Sequence, residues 1–163
     1  SKALVHVLRQ DPDIIVIGEM RDPETIITAL EITDSGHKVF STLHTASASE
    51  SVDRIVGECP PEEQNRVRER LGDVLKCIIS QKLVPSLDGK RALAKEVLVV
   101  NSSVRSAIKN NNTSEIYQMM HEGNAQGMNT MEQDLKRLVE ARKVSDKEAI
   151  NFANNKRRME ELL

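Results

Sequence analysis

Aromatic side chains are scarce in this 163-residue chain: Phe40, Phe152 and Tyr117 are all of them, and tryptophan is absent. The core must therefore be assembled from Leu, Ile, Val, Ala and Met, and little ring surface is left on which nucleobases could stack. An excess of positive charge is missing too. The formal net charge is -2 and the pI about 6.1, which gives no general basic field for nucleic acid. Residues 1–100 carry 13 basic and 16 acidic side chains and residues 101–163 carry 10 and 9, so neither half is a basic tail. Cysteine is limited to Cys59 and Cys77, 18 positions apart with no CxxC partner, a usage that fits reduced thiols in the cytosol. No stretch reaches the roughly 18 apolar residues of a membrane span, and the N-terminus has no signal-peptide pattern. Neither H-E-x-x-H nor a paired-cysteine metal motif occurs.

What is present is concentrated in residues 11–45. Ile14 to Ile17 form a short β-branched run, punctuated by Asp11, Pro12 and Gly18. Such a run predicts a parallel strand buried on both faces. Glu19 follows directly, and Asp22-Pro23 supplies an N-cap and a rigid first residue for a helix that stops near Ser35-Gly36. This helix is expected to turn Ile26, Ile27, Leu30 and Ile32 inward. A second strand over 38–43 ends at His44. Open α/β sheets bind ligands at the carboxyl ends of their strands, so Glu19 and His44 are expected side by side on one rim, with His37 at the opposite rim or in the loop leading into its strand.

The remaining chain alternates less. Ser1 to Gln10 reads as an amphipathic helix. A short helix holds Val52, Ile55 and Val56 and ends at Cys59-Pro60-Pro61. From Pro61 a longer helix is expected to pair Glu62 with Arg66 and to line one face with Val67, Leu71, Val74, Leu75 and Ile78. Gln81–Val84 and Leu93–Val100 predict a hairpin turning through Asp88-Gly89. Residues 101–163 are helical in pattern, with segments near 102–109, 114–122, 130–142 and 146–162. Thr130 with Gln133, and Ser145 with Glu148, have capping-box spacing, and Val144 can staple against Ala149.

A carboxylate delivered by a strand to a sheet rim is the physical core of the acidic element in nucleoside triphosphatases, where it holds magnesium or orients the attacking water. A glutamate after a strand is more often an ordinary helix-start or surface residue. An imidazole at the next strand's tip can hydrogen-bond a phosphate oxygen, or can be a half-buried histidine satisfied by Thr42 or a loop carbonyl. For His37 the structural reading is favoured.

The segments Asp11 to Asp22, Glu24-Thr25, Ser35 to Thr45, Asp53-Arg-Ile55, Ile78 to Val84, Glu96-Val-Leu98 and Gly127 to Met131 resemble, in this order, the type II and type IV secretion ATPases. Within them the similarity is to the retraction motors of type IV pili that drive twitching motility. The resemblance implies an α/β fold: the C-terminal part of a RecA-like P-loop ATPase domain over residues 1–100, followed by a helical C-terminal region over 101–163. It implies a hexameric, cytoplasmic motor at the inner membrane that binds ATP and Mg2+ and works on a membrane platform protein, without nucleic acid. It also implies that Glu19 is the Walker B glutamate polarising the lytic water. His37 and His44 match the histidine box, and Arg21, His37 and His44 are the implied nucleotide or intersubunit contacts.

Two positions depart from common patterns. Gly18 stands where many P-loop enzymes place a magnesium-binding aspartate, as is usual in this family. Ser103 to Asn110 matches the family's AIRNLIRE segment, associated with retraction, at Val104, Arg105, Ile108 and Lys109 but not at Ser106, Ala107 and Asn110. A third feature is an absence: G-x-x-x-x-G-K-[ST] occurs nowhere, and Gly89-Lys90 is followed by Arg91. The chain therefore looks like the C-terminal half of a longer motor and is expected to be inactive alone. A secretion or pilus-assembly ATPase, or a non-enzymatic module binding motor subunits or the platform, are the alternatives.

Overall fold

The computed structural model describes residues 12–163; the helix expected over residues 1–10 lies outside them. The chain opens as a βαβ unit: β1 (Ile14–Ile17), α1 (Pro23–Asp34) and β2 (Lys38–Ser41), the strands parallel with Ile14 opposite Lys38 and Ile17 opposite Ser41. Asp22 caps α1 by accepting from the Thr25 amide at 2.9 Å, Pro23 occupies its first turn, and the chain leaves it through Gly36 at φ +103°, a left-handed conformation that only glycine adopts without penalty. One face of the strand pair is packed, with Ile15 and Ile17 against Ala29 and Ile32. The other is not. Ile14, Val16 and Phe40 are exposed, Val16 at 76%, which corrects the expectation of a strand buried on both faces. A continuous apolar run reports that both faces need cover, and none of the described residues covers the second.

Two helices follow, α2 (Ala48–Gly57) and α3 (Pro61–Val74), then an antiparallel hairpin of β3 (Cys77–Pro85) and β4 (Arg91–Val99). Leu75 is already extended at ψ 131°, so α3 stops there and Ile78 belongs to β3, not to the helix face predicted for it. Arg66 meets Glu63 at 3.7 Å, not Glu62; residues three apart are helix neighbours as much as residues four apart. The turn runs through Gly89 at φ +77°, as Asp-Gly leads one to expect.

The C-terminal helices are α4 (Ser102–Lys109), α5 (Ile116–Glu122), α6 (Met131–Glu140), α7 (Asp146–Phe152) and α8 (Lys156–Leu162), with single 3-10 turns at Thr113–Glu115 and Asn124–Gln126. Thr130 and Gln133 form the expected capping box. The single helix expected over 146–162 is broken. Ala153 turns extended at ψ 144°, and the Asn155 amide donates to buried Glu132 at 2.7 Å instead of continuing the helical ladder. That pairing satisfies a carboxylate which no water reaches, so the break replaces a backbone bond with a charge-assisted one.

Two cores hold the chain together. The larger joins Ile26 and Leu30 of α1 and Val52 and Ile55 of α2 to Val67 and Leu71 of α3, Leu98 of β4, Ile108 of α4, and Ile116 and Met120 beyond it. Each such side chain contributes about 1.5–3 kcal/mol on burial. The smaller packs Val84 and Ala94 of the hairpin against Met131, Leu135, Val144, Ala149 and Met159. Between the two cores lies Glu96, fully buried. Its carboxylate accepts from the Ala48 amide at 2.8 Å, the Met131 amide at 3.4 Å and the Asn154 side chain at 3.3 Å. Asn154 also donates to the Ala46 carbonyl at 3.2 Å and accepts from Lys82 Nζ at 2.6 Å. One acid thus ties the starts of α2 and α6 to the joint between α7 and α8.

Candidate functional site

The residues just past β1 and β2 run side by side beyond the ladder. The Met20 amide donates to the Thr42 carbonyl at 3.3 Å, and the Thr42 hydroxyl donates to the Gly18 carbonyl at 2.5 Å. That clamp sets Glu19 and His44 next to each other, with His44 Nε2 3.4 Å from Glu19 Oε1. Arg21 reaches back two positions so that its Nε lies 2.5 Å from Glu19 Oε2. Both carboxylate oxygens are therefore engaged, one by a guanidinium and one by an imidazole. The Glu19 side chain is 21% exposed while those of Arg21 and His44 are 75% and 76% exposed, so the acid is held from behind and its two partners face solvent.

His44 is positioned by its backbone. Arg54 of α2 donates to the His44 carbonyl at 3.4 Å. The loop after it is bound to α2 through Thr45 with Ser51 at 2.7 Å and the Ala46 amide with Glu50 at 2.8 Å. Thr42, one of the two partners named for a half-buried His44, clamps Gly18, and the His44 side chain is exposed beside Glu19. His37 stands apart from this group: its Nδ1 lies 3.0 Å from the Ser35 hydroxyl, and its amide bonds to the Ile32 carbonyl, where the chain enters β2. It sits at the other end of the strand from Glu19. Sequence reasoning did not single out the roles of Arg54, Glu96 or Asn154. Arg54 and Glu96 fell within segments that prompted the resemblance, but their contacts span 10 to 58 positions, and that of Asn154 with Ala46 spans 108, so they leave no local pattern.

Chemically the rim offers one carboxylate able to take a proton or orient a water, beside two groups able to contact phosphate oxygens. Among the described residues no group of three His, Cys, Asp or Glu side chains lies close enough to hold a metal ion. Mg2+ in nucleotide sites is held by one or two carboxylates together with phosphate oxygens and waters, and Glu19 is the one carboxylate that the rim would bring to it.

The model for the family described as "Type II/IV secretion system protein" matches residues 1–161. A twitching motility protein of Neisseria gonorrhoeae is 42% identical over 160 residues, covering 98% of this chain and 43% of its own length. The type IV pilus retractation ATPase PilT of Pseudomonas aeruginosa is 42% identical over 139 residues, or 85% of this chain and 40% of that protein. Among solved structures, the pilus retraction motor PilT with bound ADP superposes with a TM-score of 0.89 at 38% identity, covering 98% of this chain and 45% of that one. The chain therefore spans less than half the length of these relatives. Its α/β fold is that of the C-terminal part of a secretion ATPase domain, and the chain belongs to the type II/IV secretion system protein family.

Proposed function

We propose that the chain is the C-terminal half of a motor ATPase that couples ATP hydrolysis to retraction of type IV pili. The observation that carries this reading is the meeting of Glu19, Arg21 and His44 at the carboxyl ends of two parallel strands. In this reading Glu19 orients the attacking water and takes its proton. To do so it must release one partner. Arg21 is the one to leave, because an exposed ion pair is worth only about 0–1 kcal/mol and a phosphate oxygen offers the guanidinium a stronger, bidentate alternative. His44 then remains on Glu19 or contacts the nucleotide or a neighbouring subunit. His37, at the far end of β2, is assigned an intersubunit contact rather than a place beside the phosphate.

ATP supplies the phosphoryl group. Mg2+ would neutralise its charge when bound, held by phosphate oxygens and waters with Glu19 as the one carboxylate of the rim able to face it. Residues 1–100 form the partial RecA-like core and 101–163 the helical region in this proposal. The complete protein is a homo-oligomer, a hexamer, cytoplasmic and peripheral to the inner membrane, where a platform protein is its partner. Among the described residues no helix is long and apolar enough to cross a membrane. The absence of a P-loop motif gives the test. Phosphate release is expected from the complete protein and not from the 163-residue chain. ATP hydrolysis by the purified chain that Glu19→Gln abolishes would refute the division of labour.

A further inference from the structure

The hairpin turn and the end of α6 enclose a cleft of about 490 Å³, within the range of small-molecule sites, far along the chain from the rim. Four cations line it: Arg91 on β4, and Arg137, Arg142 and Lys143 at the end of α6. The opposing charge in the lining is Asp88, whose Oδ1 accepts from the Ser86 hydroxyl and the Lys90 amide, so one negative charge stands against four positive ones. Arg137 is held through Nε by Asp134 at 2.7 Å, leaving the rest of its guanidinium fork unused. The side chains of Arg91, Arg142 and Lys143 make no hydrogen bond or ion pair among the described residues. In a chain of net charge -2, this is a strong local convergence of one sign.

A helix C-terminus attracts cations, and that alone would explain Arg137 and Lys143. It does not explain Arg91, which comes from the hairpin, nor the backbone of Arg142. Arg142 is at φ +55°, in the position just past the helix where glycine is the ordinary residue; its amide bonds to Val139 and that of Lys143 to Leu138, closing the helix end. An arginine there accepts a conformation that glycine would take without cost. The Lys143 carbonyl in turn accepts from the Leu87 amide at 2.9 Å, so the two walls of the cleft are bonded to each other.

We propose that this cleft is a binding site for an anion carrying two or more phosphates. Guanidinium forks match phosphate oxygens, and the lack of any aromatic in the lining makes the phosphates, not a base, the recognised group. The site shares no residue with the rim and stands whether or not the chain is part of an ATPase. The test is an NMR titration of the 15N-labelled 163-residue chain with tripolyphosphate, alongside co-sedimentation with vesicles of cardiolipin, whose headgroup carries two phosphates, and with phosphatidylcholine vesicles. Saturable shifts at Arg91, Arg142 and Lys143 with a Kd below about 1 mM are expected for a soluble polyphosphate. Sedimentation with anionic but not neutral vesicles would identify a lipid headgroup as the source. Arg142→Gly with Arg91→Gln should weaken binding about tenfold or more, while Arg142→Gly alone leaves the thermal midpoint unchanged or raised, so that unfolding cannot account for the loss. No saturable binding in either arm, shifts centred on His44, or an equal loss from Arg157→Gln with Arg158→Gln would overturn the proposal.

Discussion

Glu96 makes the sharpest energetic test of how the two cores are joined. Burial pushes its carboxyl above the ordinary glutamate range, outweighing the Ala48 and Met131 amides and the Asn154 side chain, which pull it down. The native state thus holds this proton more tightly than the unfolded chain does. Stability from this group is fully present below the unfolded glutamate pKa, roughly 4.3, and is lost as pH rises through the higher native value. Glutamine cannot titrate, and its amide nitrogen cannot accept from the Met131 amide or Asn154 as a protonated carboxyl still can. Glu96→Gln should therefore be destabilised by about 1–3 kcal/mol at low pH. The gap should then close by up to about 1.4 kcal/mol per pH unit as the wild type is forced to ionise a buried acid. Urea unfolding followed by far-UV circular dichroism at about pH 5, 6, 7 and 8 measures both parts. A gap independent of pH would mean that Glu96 does not change protonation on folding, and a gap that widens with pH would mean that the three donors outweigh burial.

Other perturbations test packing and the missing cover. A Cβ at Gly123 would lie 2.2 Å from Met128 Cε and 2.8 Å from the Met119 carbonyl oxygen, so Gly123→Ala should cost about 1–3 kcal/mol. At this size that lowers Tm by about 2–4 °C per kcal/mol in calorimetry. At Gly72 a Cβ would meet Lys109 Cγ at 2.8 Å, near the root of a side chain paired with Glu69 and Asp73, so Gly72→Ala must displace Lys109 and should lower Tm despite its gain in helix propensity; a raised Tm would show that Lys109 gives way freely. The exposed face of Ile14, Val16 and Phe40 should make the 163-residue chain self-associate in sedimentation velocity, and Val16→Lys with Phe40→Lys should return it to a monomer. A wild-type chain monomeric at every concentration would show that this face tolerates water.

What the sequence made legible was local. Asp22-Pro23 at the start of α1, Gly36 past its end, Thr130 with Gln133, and Asp88-Gly89 each act within four residues, and each appears where the pattern put it. The adjacency of Glu19 and His44 was legible because parallel strands bring their ends together by necessity. What was hidden depends on distant partners. The break between α7 and α8 answers to Glu132, more than 20 positions earlier, and the bond from Asn154 to Ala46 spans 108. Likewise nothing within the apolar run of β1 says that Ile14 and Val16 stand uncovered among the described residues.

The role proposed for the rim is chemistry rather than binding alone. Single-turnover ATP hydrolysis by the complete protein, with nucleotide affinity measured separately, tests it through Glu19→Gln. If Glu19 takes the proton of the attacking water, turnover falls by about 10² to 10⁴ while affinity is retained. Hydrolysis within a few-fold of wild type would remove Glu19 from the reaction and leave the rim as a structural contact.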